Sequence, residues 1–196
     1  MRVFRSSVSI MILMAMVMNG CSSAESADRT AIGNATASAK QPNQSLGPDE
    51  TQIQGAMQAA AKYLKSQYSV DGVYTQKDLK QQVASMKQKL KPLLNSEYYT
   101  WADKNKTLTL PLQIAIHEHS SATPKDITIR SRTVSNTEQL IRLSYRLNFH
   151  LNERNESAPL GGKLIMEHEN GVWRVASDQN NADSLLEWHG ISTDLQ

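Results

Sequence analysis

The segment KLIMEHENGVWRVAS, residues 163–177, constrains the fold more than any other stretch. Asn170-Gly171 is a preferred dipeptide for a two-residue hairpin loop, because both central residues of that turn need positive φ. Such a short loop leaves little freedom of register. It sets Glu169 opposite Val172, His168 opposite Trp173, Glu167 opposite Arg174 and Met166 opposite Val175. Leu164, Met166, Trp173 and Val175 then share one face, the expected core face. Glu167 and Arg174 are expected to meet on the other, where an exposed pair is worth at most about 1 kcal/mol.

Three upstream segments repeat the two-residue period. In LIRLSYRLNFHLN, Ile141, Leu143, Tyr145, Leu147, Phe149 and Leu151 line one face, and Arg142, Ser144, Arg146, Asn148 and His150 line the other. DITIRSRTV, residues 126–134, reads as a weaker strand. In TLTLPLQIAIHEH, Leu108, Leu110, Leu112, Ile114 and Ile116 alternate with Thr109, Pro111, Gln113, Ala115 and His117, which predicts a half-buried strand. Pro111 cannot donate to a ladder, so that strand is expected at a sheet edge or at a bulge.

The chain before it follows a helical period. Ile53, Met57, Ala60, Ala61, Leu64 and Tyr68 fall near one stripe, with Asp49 and Glu50 suited to a helix N-terminus. Asp71-Gly72 marks a turn, and TQKD from Thr75 predicts a capped second helix carrying Leu79, Val83, Met86 and Leu90 inward. Pro92 ends or kinks it. Lys77, Lys80, Lys87, Lys89 and Lys91 decorate its solvated side.

Helices followed by antiparallel strands predict an α+β domain, with N-terminal helices packed on a curved antiparallel sheet of about four to five strands. This order, closed by the GVWRV hairpin, resembles the nuclear-transport-factor-2-like (cystatin-like) superfamily over about residues 50–178. The resemblance implies an architecture and no activity, since that fold hosts enzymes, binding modules and scaffolds alike.

The start of the chain is of another kind. Arg2 and Arg5 precede an apolar run from Val8 to Met18, too short to span a bilayer of about 30 Å. A basic start, a short apolar core and a small residue mark a secretory signal over residues 1–20. Met18-Asn19-Gly20-Cys21 resembles the cleavage box of bacterial lipoproteins, which implies that Cys21 is acylated and the chain cut before it. Cys21 is the single cysteine, so no internal disulfide is open to it. Two acyl chains would anchor the protein stably to a membrane. Residues 22–48 are small and polar and read as a flexible tether with a reach of roughly 30 Å. The domains expected are thus a leader at 1–20, the lipidated cysteine and linker at 21–48, and one folded body at 49–196.

Lys and Arg number 21 and Asp and Glu 19; without Arg2 and Arg5 the bases fall to 19 and the balance is neutral. Nucleic acid is therefore not an expected partner. The expected partners are the membrane, through the lipid anchor, and an envelope protein or an anionic wall ligand.

Four groups of residues can carry chemistry. His117 and His119, on a strand, would point to one side and could begin a metal site, although a third ligand is lacking; two solvent-facing histidines are the simpler reading, and no metal or cofactor is expected. Arg130, Arg132, Arg142, Arg146 and His150 would share a polar sheet face able to hold a carboxylate or phosphate, unless Glu118, Glu138 or Glu153 neutralise them. His168 opposite Trp173 reads as a stacked histidine at the core edge, and Tyr98–Trp101 as aromatic cover for the core. No phosphate loop, nucleophile elbow or HExxH is present.

The expectation is an exported, lipid-anchored, non-catalytic binding module of the bacterial envelope. The alternatives are a small hydrolase or isomerase using His150 or His168 in a pocket, and a structural or inhibitory lipoprotein acting by protein contacts.

Overall fold

The computed structural model describes residues 50–135 and 140–188; the leader, Cys21, the linker and Glu138 lie outside the described residues. Four strands form an antiparallel meander: β1 (Ala122–Ser135), β2 (Leu140–Leu151), β3 (Glu156–Glu169) and β4 (Val172–Asn180), in the spatial order β1-β2-β3-β4. The sheet curves and does not close. Helices α1 (Glu50–Tyr68), α2 (Leu79–Leu90), α3 (Ser96–Lys104) and α4 (Leu110–His117) precede it, and a short α5 (Asp183–Trp188) follows. The domain is α+β, with helices packed against the sheet.

The hairpin has the register that its two-residue loop requires. Glu169 pairs with Val172, His168 with Trp173, Glu167 with Arg174 and Met166 with Val175. Asn170 and Gly171 have φ of 52° and 78°, the left-handed values of a type I′ turn. Leu164, Met166 and Val175 are buried, and Trp173 is half-buried on the core. The expected Glu167–Arg174 pair does not form. Arg174 reaches Glu169 at 2.7 Å, and Glu167 accepts a 2.7 Å hydrogen bond from Asn95. The competing partner comes from the segment before α3, which runs beside β4: Asn95 N–H donates to the Val175 carbonyl at 3.0 Å.

Strand β2 divides its residues by parity. Ile141, Leu143, Tyr145, Leu147, Phe149 and Leu151 are all buried under the helices. Helix α1 adds Ala56, Ala60, Tyr63, Leu64 and Tyr68 to that core, and α2 adds Met86 and Leu90. Small residues at Gly55, Ala56 and Ala60 let α1 lie close to the sheet. A Cβ at Gly55 would sit 3.2 Å from the Trp173 ring. The helix expected to open at Thr75 is preceded there by a turn, in which Thr75 donates to the Asp78 carboxylate through its N–H at 2.9 Å and its hydroxyl at 2.8 Å; Asp78 is the N-cap and makes no side-chain cap hydrogen bond. The α-helix proper begins after it, at Leu79.

The expected strand over TLTLPLQIAIHEH is instead a 3-10 turn, Thr107–Thr109, followed by α4. Leu108, Pro111, Leu112, Ile114, Ala115 and Ile116 are buried, so the helix is covered on most sides. A segment buried nearly all round loses the one-faced pattern that distinguishes helix from strand. Pro111 stands in the first helical turn, where its missing N–H has no intrahelical partner to lose. It marks neither a sheet edge nor a bulge. The helix ends in a Schellman closure: Ser120 N–H donates to the Ala115 carbonyl at 2.9 Å and His119 N–H to that of Ile116 at 3.2 Å. His119 takes the left-handed position, with φ of 50°.

A carboxyl group lies inside the core. Asp178, on the inner face of β4, is 8% exposed. It accepts hydrogen bonds from Tyr63 at 3.0 Å and Tyr145 at 3.1 Å, and the Tyr68 hydroxyl lies 3.5 Å from that of Tyr145. Burial raises its pKa to about 6, against the opposing pull of the Tyr63, Asn180 and Tyr145 hydrogen bonds. Burial also raises the pKa of all three tyrosines, which stay protonated as donors. Tyr145 reaches Asp178 by lying across Gly162, where a Cβ would fall 2.8 Å from its ring and 2.7 Å from the Gln179 carbonyl.

Candidate functional site: a basic cleft on the open sheet face

The parity that buries half of β2 turns the other half outward. Arg142 and Arg146 are exposed, and Ser144 and Asn148 are half-buried. The ladder extends this face sideways. Ser144 is opposite Arg130 on β1 and Lys163 on β3; Arg146 is opposite Thr128 on β1 and Gly161 on β3. Lys163 is in turn opposite Gln179 on β4. A cleft of about 810 Å³ lies here, lined by Arg130, Arg132, Ser144, Arg146, Lys163 and Gln179 among others. A second, shallower one of about 430 Å³ adjoins it and includes Asp126, Arg146 and Asn148.

Three of the five residues expected on this face therefore meet in one cleft: Arg130, Arg132 and Arg146. Arg142 is exposed on the same strand but does not line it. His150 is outward by parity yet 6% exposed, and its Nδ1 lies 2.7 Å from the Ser157 hydroxyl on β3. It belongs to the packed end of the sheet and leaves the anion-holding set. Lys163 was missed by the sequence reading. Its signal was available, since the hairpin register fixes the parity of β3 and places Lys163 opposite to Leu164.

Two of the three acids that could silence these cations, Glu118 and Glu153, are engaged elsewhere, and the third, Glu138, lies outside the described residues. Glu118 pairs with Arg154 and with His117, whose Nδ1 lies 3.0 Å from its carboxylate. Glu153 accepts from Ser120 Oγ at 2.8 Å and Ser121 N–H at 2.6 Å, bonds that hold its carboxyl below the usual range. Asp126, in the adjoining cleft, accepts from Asn148 at 2.9 Å. Among the described residues Arg130, Arg132, Arg142, Arg146 and Lys163 form no ion pair with a carboxylate.

The other candidates separate. His117 ends α4 and His119 sits in its left-handed closure, so the one-sided clasp expected of a strand does not exist. Among the described residues no group of three or more His, Cys, Asp or Glu side chains is placed to hold a metal ion. His168 stacks on Trp173, with ring centroids 4.8 Å apart. Tyr98 is buried and stacked on Trp101, which is 52% exposed, so this aromatic pair caps the core with one ring and faces solvent with the other. Neither of these two clefts is lined by a histidine. Among the described residues no helix is long and apolar enough to cross a membrane. Comparison with protein-family models, curated proteins and solved structures finds no match to this chain.

Proposed function

We propose that the protein is an exported, lipid-anchored binding module of the bacterial envelope that holds an anionic ligand on the open face of its sheet. The observation that carries the binding role is the cleft lined by Arg130, Arg132, Arg146 and Lys163, in which no described carboxylate pairs with these side chains. Like charges gathered on one face oppose folding, and a bound anion relieves that repulsion. A filled core and an open polar face favour binding over turnover. The enzyme reading would need a histidine and an acid converging in a pocket, and Asp178 and His150 lie in different buried places. Anchorage is supported by the leader and by Met18-Asn19-Gly20-Cys21, and the polar linker would carry the domain clear of the headgroups.

Two experiments test the reading. Substituting Cys21→Ser should move the protein from the membrane fraction to the soluble one; unchanged retention would remove the anchor. The full chain carrying Cys21→Ser should bind inorganic polyphosphate at low ionic strength and lose affinity as salt rises. The triple variant Arg130→Gln, Arg132→Gln, Arg146→Gln should abolish that binding. No binding at low salt, or unchanged binding by the triple variant, would refute the anionic ligand.

A further inference from the structure

We infer that the cleft contains a phosphate cup centred on Ser144, built to take the terminal phosphate of a monoester; this deepens the anion-binding reading above and rests on it. Ser144 has Arg130 directly across one ladder and Lys163 directly across the other, and Arg146 stands two residues along its own strand. Directly opposed side chains on one face start about 5 Å apart, and diagonal ones about 7–8 Å. Arg130 and Arg146 are such a diagonal pair, as are Lys163 and Arg146. Three long cationic side chains therefore surround one short hydroxyl and can close over a group placed upon it. Among the described residues the Ser144 hydroxyl makes no side-chain hydrogen bond, although it is half-buried.

The floor is kept low. Gly161, opposite Arg146, puts no side chain into the cup. A Cβ there would stand in ordinary contact with the Tyr145 carbonyl oxygen at 3.4 Å and with Arg146 Cγ at 3.8 Å, filling space beside the arginine stem. Gln179 closes the β4 side with an amide.

The count of donors selects the ligand class. A carboxylate has one charge and two coplanar oxygens, which one arginine fork satisfies. A phosphate monoester carries nearly two charges at neutral pH and three terminal oxygens. Three cations converging from three directions, with a hydroxyl beneath, match the second group. A diester offers two terminal oxygens and one charge, so it fills the cup less well.

The test is calorimetric titration of the full chain carrying Cys21→Ser, at about 0.15 M salt, where charges beyond roughly 8 Å are screened. The probes are inorganic phosphate, glycerol 3-phosphate, glycerophosphocholine and succinate. Phosphate and glycerol 3-phosphate should bind alike, and about tenfold more tightly than the diester or succinate. If glycerol 3-phosphate binds tenfold better than phosphate, the carried group is recognised too and a phosphorylated organic ligand is the source; equal binding makes free phosphate sufficient. Lys163→Gln and Ser144→Ala should each weaken phosphate binding by about tenfold and about threefold. Arg142→Gln, on the same face outside the cleft, should change it by about twofold or less. Thermal melts establish that the variants remain folded. Equal affinity for succinate and phosphate, or equal losses in Arg142→Gln and Lys163→Gln, would overturn the cup while leaving a diffuse anion-binding face. Absence of binding by every probe, together with no binding of polyphosphate, would overturn both.

Discussion

The two faces of strand β2 lie one residue apart in sequence and differ in almost everything else. Leu143, Tyr145 and Leu147 are buried against α1 and its neighbours; Arg142, Ser144 and Arg146 face the side of the sheet away from these helices. The inner face holds the Asp178 carboxyl and encloses it with tyrosine hydroxyls. The outer face collects arginines and Lys163 without any described carboxylate bound to them. The difference separates two tasks. Stability resides on the inner positions, so the outer ones are free to carry a charge density that a purely structural surface would neutralise.

The largest effect expected from this comparison is a core truncation beside a surface one. Leu147→Ala should destabilise the domain by about 2–5 kcal/mol, from lost burial and the cavity left behind. Arg146→Ala, its immediate neighbour, should change stability by about 0.5 kcal/mol or less, or raise it. Denaturant melts of the two variants check this, and comparable losses would mean that the outer face is structural as well.

The paired glycines sharpen the same contrast. Gly162 sits under Tyr145 on the inner side, and Gly161 opens to the cleft. Gly162→Ala should cost about 1–3 kcal/mol through overpacking. Gly161→Ala should cost clearly less in a melt while weakening anion binding.

Asp178 gives the comparison a pH dependence. Its folded pKa, about 6, lies above the value near 4 of an unfolded aspartate. A raised carboxyl pKa means that the folded state holds the proton more tightly. Its contribution to stability is full below about pH 4 and is lost as pH rises through about 6. Between pH 7.5 and 5 this group should therefore stabilise the domain on acidification, by on the order of 1 kcal/mol. Glu153 and Asp78, whose pKa values are lowered by hydrogen bonds from Ser120 and from Thr75, lose their contributions only at lower pH. The wild-type melting temperature should rise more across that window than that of Asp178→Asn. Identical slopes would show that Asp178 is not the titrating group.

Much of this division is readable in the residues themselves, where geometry leaves one solution. Asn170-Gly171 admits a two-residue turn, and the turn then fixes eight partners. The alternation of β2 runs through six apolar residues and so tolerates no slip. The same alternation misleads at residues 108–116, because Pro111 and Ala115 are apolar too and the segment is buried nearly all round. The helical signal there is the polar set Thr109, Gln113 and His117, spaced by four, two of which are joined by a 3.2 Å hydrogen bond from Gln113 to Thr109. Arg130 and Arg146 were legible by parity, as Lys163 would have been. The burial of His150 was not, because it depends on Ser157 and the packed sheet end, which parity along one strand does not describe. The Glu167–Arg174 pair failed for a related reason: Asn95, remote in sequence, competes for Glu167.

The most direct test of the account is amide chemical-shift mapping of the folded chain titrated with inorganic phosphate at low and high salt. The account predicts shifts confined to the outer face around Arg130, Ser144, Arg146, Gly161 and Lys163, fading as salt rises. Shifts concentrated on α1–α4, or none on the outer strand positions, would contradict it.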